Sequence, residues 1–81
     1  MIPSRWQEIR PSDALRMHMA YGNYMRLWLA GGDDESRDEY YALVKELGLS
    51  FRDAECLAFD VAENWSAFRD AAAVQEQRRA A

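Results

Sequence analysis

The sequence predicts an all-α protein, built as a small bundle of three main helices with a short helical segment before them. Apolar residues recur at the three- and four-residue spacing of amphipathic helices, and capping and helix-ending residues separate these runs. In addition, no segment alternates apolar and polar residues over the length of a strand. A length of 81 residues accommodates one helical domain, residues 1–81, with a small core.

Residues 1–11 form the predicted N-terminal arm. Ser4 and Gln7 fit a capping box, which favours a short helical segment that ends before Pro11. Trp6 is the largest apolar side chain of this segment. We therefore expect Trp6 to anchor the arm on the core.

The first main helix is predicted over about residues 13–30. Ser12 is the candidate N-cap, and Gly31-Gly32 ends the helix. On a helical wheel its apolar arc exceeds about 200°, roughly twice the stripe that a surface helix needs. The helix is therefore either central in the bundle or carries a second apolar face for a partner, and Gly22 inside the arc would permit close approach of another helix.

The second main helix is predicted over about residues 35–47. Asp33 or Asp34 is its candidate N-cap, and Gly48 ends it in a Schellman turn.

The third main helix is predicted over about residues 51–74. Ser50 is its candidate N-cap. Its apolar positions keep one phase throughout, which favours a single helix, and a break near Asn64 is the alternative.

The chain is acidic. It carries 10 Lys and Arg against 14 Asp and Glu, which gives a net charge of −4. This balance disfavours binding to nucleic-acid phosphates or to an anionic membrane. No apolar run approaches the ~20 residues of a membrane span, and no secretory signal is visible, so we expect a cytoplasmic protein. Residues 75–81 lack large apolar side chains and are expected to fray.

Enzyme motifs are not found in the sequence. There is no glycine-rich phosphate loop, no serine elbow, and no pair of histidines or cysteines. Cys56 and His18 are the one formal nucleophile–base couple, and each is more simply a packed helical side chain. We therefore predict no enzyme activity, no catalytic residue, no metal and no cofactor.

Residues 43–57 resemble the turn of a helix-turn-helix DNA-binding motif. The apolar positions and the turn glycine of that motif are matched by Leu43, Leu47, Leu49, Leu57 and Gly48. The pattern departs from the motif at Val44, where a small residue is usual, and at Ala54, where a branched one is usual. The second helix is also net negative, whereas DNA readers carry cations and amides. The resemblance implies a transcriptional regulator, which is the alternative function.

The leading hypothesis is a protein that binds another protein, with homodimer formation as one form of this binding. Aromatic and Met side chains recur at helical spacing on the first helix, and a Phe lies outside the stripe of the third. The predicted partner-binding residues are Met17, Tyr21, Tyr24, Trp28 and Phe59.

A cluster of carboxylates is predicted to steer this binding towards a basic partner surface. Its members are Asp33, Asp34, Glu35, Asp38 and Glu39. Their spacing differs from that of a calcium-binding loop, and the preference of a helix N-terminus for acidic residues explains them without a metal. One specific form of the hypothesis is a phage or mobile-element inhibitor, similar in size and charge to anti-CRISPR proteins, that blocks a basic groove of its target.

Overall fold

A computed structural model describes residues 1–80, and all of its regular elements are helical over this range. The predicted all-α class is confirmed, with four helices in place of three main ones. The helices are α1 (Pro11–Asn23), α2 (Asp34–Glu46), α3 (Phe51–Glu63) and α4 (Trp65–Ala80). A 3₁₀ turn at Ser4–Trp6 precedes α1, and a π-helical segment, Tyr24–Leu29, continues it.

The central helix of the bundle is α1, because α2, α3 and α4 all pack against it. Ala14 and Met17 on this helix are completely buried. Of the two explanations for its wide apolar arc, burial between neighbouring helices therefore accounts for this part of α1. The buried core comprises Trp6, Ala14, Met17, Tyr40, Leu43, Val44, Ala54, Leu57, Val61 and Phe68.

The start of α1 lies two residues before the predicted one, at Pro11. Proline suits the first helical position because the amide it lacks would have no partner there. Arg10 occupies the N-cap position without a side-chain hydrogen bond, so Ser12 does not cap the helix. The Ser12 amide instead donates to Oε1 of Gln75 at 3.2 Å, which links the start of α1 to α4.

The π-helical segment Tyr24–Leu29 follows α1 without a gap. Its backbone hydrogen bonds join residues i and i+5, so it has more residues per turn than an α-helix. A helical wheel drawn at 100° per residue therefore places the side chains incorrectly from Tyr24 onward. Gly32 ends the segment at a φ of 74°, and its amide donates to the Trp28 carbonyl at 2.7 Å. Gly22 is exposed, and nothing lies within 4 Å of where its Cβ would stand, so the expected close helix contact is absent there.

Capping residues define α2 and the start of α3 as predicted. The Asp33 side chain accepts a hydrogen bond from the Glu35 amide at 3.1 Å. Gly48 adopts a φ of 68°, and the next amide donates to the Val44 carbonyl at 3.1 Å, which is the Schellman arrangement. The Ser50 hydroxyl accepts the amide three residues later at 3.1 Å. These local signals correctly fix the α2–α3 connection.

The prediction of one helix over residues 51–74 is wrong, and the alternative break near Asn64 is present. Asn64 lies outside the helical region, at φ −123° and ψ 37°. Its side-chain amide donates to the Asp60 carbonyl at 2.9 Å, and its backbone amide donates to the same oxygen at 3.0 Å. Trp65, the first residue after the break, is exposed at the surface.

Both terminal regions of the described chain contain a residue that contacts the rest of the bundle. The arm forms its 3₁₀ turn after Pro3 without the predicted capping box, yet Trp6 is buried as expected. Residues 75–80, expected to fray, belong to α4, and Ala81 lies outside the described residues. The hydrogen bond that Gln75 accepts from Ser12 ties this last part of α4 to α1.

Candidate functional site

Seven aromatic side chains meet where the end of α1, its π-helical extension, α2 and α3 come together. Each ring centroid lies within 5.8 Å of at least one other. We call this group the aromatic surface, and it comprises Tyr21, Tyr24, Trp28, Tyr40, Tyr41, Phe51 and Phe59. It includes all four tyrosines of the chain.

Tyr40 is the buried base of the aromatic surface, with 3% of its surface exposed. Its ring lies 4.6 Å from that of Tyr24 and 5.6 Å from that of Tyr21. Burial, followed by the neighbouring Tyr21 and Glu55, raises the pKa of Tyr40 to about 12. The hydroxyl therefore stays protonated near neutral pH, and the buried ring supports the more exposed ones.

The rim of the aromatic surface is exposed. The exposed fraction of the residue surface is 40% for Tyr41, 54% for Phe51 and 53% for Phe59. Tyr41 and Phe51 stand 5.0 Å apart at 65°, and Phe59 meets Tyr21 at 5.8 Å and 68°. These are the edge-to-face arrangements that aromatic pairs favour. A contiguous apolar patch of this kind is typical of an interaction surface.

The other end of the aromatic surface is formed by Trp28. Its ring stacks on that of Tyr24 at 5.2 Å and 20°. The Arg37 guanidinium lies 5.6 Å from the centroid of the Trp28 ring, within cation–π range. The same guanidinium pairs with Asp34 at 3.4 Å and Asp38 at 3.1 Å.

Four of the five predicted partner-binding residues belong to the aromatic surface, namely Tyr21, Tyr24, Trp28 and Phe59. The prediction that Met17 binds a partner is wrong, because Met17 has 0% of its surface exposed. It lies in the core among the helices that pack on α1, so no external partner reaches it.

Three members of the aromatic surface, Tyr40, Tyr41 and Phe51, are not among the predicted partner-binding residues. One signal was present in the sequence. Adjacent residues of a helix lie about 100° apart, so Tyr40 and Tyr41 cannot both lie at the centre of one apolar stripe. Phe51 is the first residue of α3, before that helix reaches the core, and nothing in the sequence marks it as exposed.

A groove of about 520 Å³ opens within the aromatic surface. We call it the aromatic groove; its lining residues are Tyr21, Tyr24, Met25, Leu29, Tyr40, Tyr41, Phe51, Arg52 and Glu55. Burial, followed by the charge of the nearby Glu55 carboxylate, raises the pKa of Tyr21. A larger groove of about 810 Å³ lies between the arm and α4, and no aromatic side chain lines it.

The five predicted steering carboxylates are all on exposed residues. Asp33 serves as the N-cap of α2, and Asp34 and Asp38 pair with Arg37. Among the residues that the structure describes, Glu35 and Glu39 take part in no ion pair. These two carboxylates are therefore the least neutralised part of the cluster.

His18 and Cys56 contact different parts of the molecule. The His18 Nδ1 atom lies 3.2 Å from the Ala58 carbonyl oxygen, and the ring lies 5.5 Å from that of Trp65. Cys56 is partly buried against the core, near the Arg5 guanidinium. Within residues 1–80, no group of three His, Cys, Asp or Glu side chains is arranged to hold a metal ion.

The segment that resembles a helix-turn-helix lies in α2, the turn and α3. Both helices pack mainly on α1 and only marginally on each other, whereas the helices of that motif pack together. The exposed residues of α3 include Asp53, Glu55 and Glu63 against Arg52. These features give the DNA-binding alternative less support than the aromatic surface gives to protein binding.

No protein-family model matches the chain, no curated protein matches it, and no solved structure matches it. The described part of the chain also contains no helix with the length and apolar character that a bilayer span requires.

Proposed function

We propose that this protein is a non-enzymatic binding module that recognises another protein through its aromatic surface. The observation that carries the proposal is the contiguous set of seven rings with its exposed rim of Tyr41, Phe51 and Phe59. Aromatic side chains bury a large area at a small cost in conformational entropy, and they are enriched at the centres of protein interfaces. His18 and Cys56 are engaged in separate packing contacts, which fits a binding role better than nucleophilic catalysis.

Electrostatics favour a partner with a basic surface. The chain carries a net charge of −4, and the carboxylates of Glu35 and Glu39 are exposed. Charge of this sign increases the rate of encounter with a basic partner. In the inhibitor form of the proposal, the protein is anti-CRISPR-like and offers its carboxylates to a basic nucleic-acid groove of its target. This form is based on chain length and charge, and identification of the partner tests it.

Affinity capture with surface variants tests the proposal. The tagged protein, a Phe51→Ala/Phe59→Ala variant and a Met19→Ala variant are used to capture proteins from an extract of the encoding organism, with and without nuclease. Met19 is a suitable control because it is an exposed apolar residue outside the aromatic surface. Arg37 is a poor control because it lies over the Trp28 ring.

We expect a stoichiometric protein partner that survives nuclease and binds the Met19→Ala variant normally. Removal of the two phenylalanines should weaken its binding at least about tenfold, because aromatic anchors contribute more than most interface residues. Equal capture by all three proteins would contradict the proposal. Loss of the partner with nuclease would instead favour the DNA-binding alternative.

Self-association is measured on the same proteins by sedimentation velocity. A wild-type dimer that becomes monomeric in the Phe51→Ala/Phe59→Ala variant would make the homodimer the physiological form of this binding. A monomer at all concentrations, together with a captured partner, would make the interaction heterologous.

A further inference from the structure

We infer that the aromatic groove binds an arginine side chain of the partner protein, with ring faces around the guanidinium and the Glu55 carboxylate as its counter-ion. This inference rests on the proposed protein-binding function, which it deepens by naming the chemical group recognised.

The ring geometry of the aromatic groove suits a planar cation. Tyr41 and Phe51 meet at 65° with centroids 5.0 Å apart, so they form two steeply inclined walls. Tyr24 lies 5.9 Å from Tyr41 at 41° and contributes a third ring. A guanidinium in the groove of about 520 Å³ can therefore approach several rings within the ~6 Å that cation–π attraction requires.

One carboxylate that can pair with a cation lines the aromatic groove, together with one guanidinium. Glu55 lines the groove, and among the described residues it belongs to no ion pair. Arg52, one turn earlier on α3, lines the same groove without pairing to Glu55. An incoming arginine can pair with the Glu55 carboxylate, for which the Tyr21 hydroxyl and the Arg52 guanidinium compete.

The molecule already contains this combination of groups elsewhere. The Arg5 guanidinium lies 4.7 Å from the centroid of the Trp6 ring and 2.7 Å from Oδ2 of Asp60. At the edge of the aromatic surface, Arg37 lies over Trp28 in a similar way. Arginine is favoured over lysine because its planar, weakly hydrated guanidinium stacks on rings and forms directed hydrogen bonds to a carboxylate.

An NMR titration of the isotope-labelled full chain tests the inference. The probes are N-acetyl-arginine amide, the neutral analogue N-acetyl-citrulline amide, and N-acetyl-lysine amide. We expect the arginine probe to shift the ring protons of Tyr24, Tyr41 and Phe51, with an affinity about fivefold or more above that for citrulline. Equal affinity for citrulline would overturn the inference, and stronger binding of lysine would overturn the choice of arginine.

Matched charge variants locate the site. Glu55→Gln should weaken arginine binding about fivefold or more, whereas Glu63→Gln removes the same charge at the end of α3 and should leave it unchanged. Arg52→Gln should strengthen binding because it removes the competing cation. Equal weakening by both glutamate variants would indicate non-specific attraction to an acidic protein and would overturn the inference.

The two proposals fail separately. Partner capture that depends on Phe51 and Phe59, combined with no preference for arginine over citrulline, would overturn the arginine site and leave the protein-binding function standing. Specific arginine binding in the titration, combined with partner capture unaffected by the same phenylalanines, would overturn the proposed function instead.

Discussion

Asp60 is the residue on which the position of the N-terminal arm depends. Its Oδ2 atom accepts hydrogen bonds from Nε1 of Trp6 at 2.6 Å and from Nη2 of Arg5 at 2.7 Å. Burial alone would raise the pKa of Asp60, but the bonds from Trp6 and Arg5 and the Arg5 charge outweigh it and lower the pKa. An ionised Asp60 therefore joins α3 to a buried Trp of the arm.

We predict that Asp60→Ala lowers the free energy of unfolding by about 1–3 kcal/mol, because the buried Trp6 N–H loses its acceptor. Asp60→Asn should have a smaller effect, since an amide oxygen can still accept that bond. The measurement is urea unfolding followed by Trp fluorescence at neutral pH. Asp70→Asn is the control, because Asp70 makes an exposed ion pair with Arg69.

The ionisation of Asp60 should make the free energy of unfolding depend on pH. Its folded-state pKa lies below the ordinary value of about 4, so the ionised group stabilises the fold above about pH 4, and this contribution is lost as the pH falls through the lowered value. The difference in unfolding free energy between wild type and Asp60→Asn should therefore shrink as the pH falls below about 4. A difference that stays constant down to pH 2 would contradict this assignment.

Two glycines at helical elements should respond to alanine in opposite ways. Gly48 ends α2 with a φ of 68°, a conformation in which a Cβ costs roughly 1–2 kcal/mol. Gly22 lies inside α1, and nothing within 4 Å would meet its Cβ. Gly48→Ala should thus lower the free energy of unfolding by about 1–2 kcal/mol, and Gly22→Ala should raise it by roughly 0.5–1 kcal/mol. Denaturant unfolding of both variants measures this, and stabilisation by Gly48→Ala would contradict the Schellman assignment.

The predictability of each element depended on how local its cause is. The caps at Asp33 and Ser50 and the turn at Gly48 follow from bonds within a few residues, and all three were predictable. The break at Asn64 was only the alternative prediction, because the apolar residues stay on one side of the helical wheel across it. The bond from the Asn64 side chain to the Asp60 carbonyl leaves no mark in the hydrophobic pattern. The π-helical winding after Asn23 was likewise invisible to a wheel with a fixed angle per residue.

The candidate site was predictable only where a side chain's exposure follows from its own helix. Tyr24 and Trp28 were identified because their four-residue spacing keeps them together, as their stacked rings show. Met17 shares that spacing but is buried, because neighbouring helices cover its part of α1. Phe51 is exposed because of where α3 begins relative to the core. These outcomes depend on tertiary packing, which a single helical wheel does not contain.

At the scale of the whole molecule, charge and aromatic exposure should control different steps of partner binding. The net charge of −4 and the exposed Glu35 and Glu39 act over distance, and salt screens them. The aromatic surface acts only on contact, through burial of its rings. In the proposed binding, long-range charge should therefore govern the association rate, whereas ring contacts should govern the dissociation rate.

We predict that Glu35→Gln/Glu39→Gln slows association with the captured partner several-fold at low salt and leaves dissociation unchanged. These two carboxylates are chosen because Asp33 caps α2 and Asp34 pairs with Arg37, so replacing either aspartate would also remove a contact within the chain. The measurement is biolayer interferometry across a salt series. The effect should vanish at high salt, where the Debye length falls to about 3 Å.

Phe51→Ala is the matched comparison in the same salt series. It should accelerate dissociation at every salt concentration, because the ring it removes is uncharged and half of its surface is exposed for contact. An association rate that responds to Phe51→Ala but not to the glutamate variants would contradict the division between steering and contact. The acidic cluster would then serve only the N-terminus of α2, where a helix stabilises carboxylates without any partner.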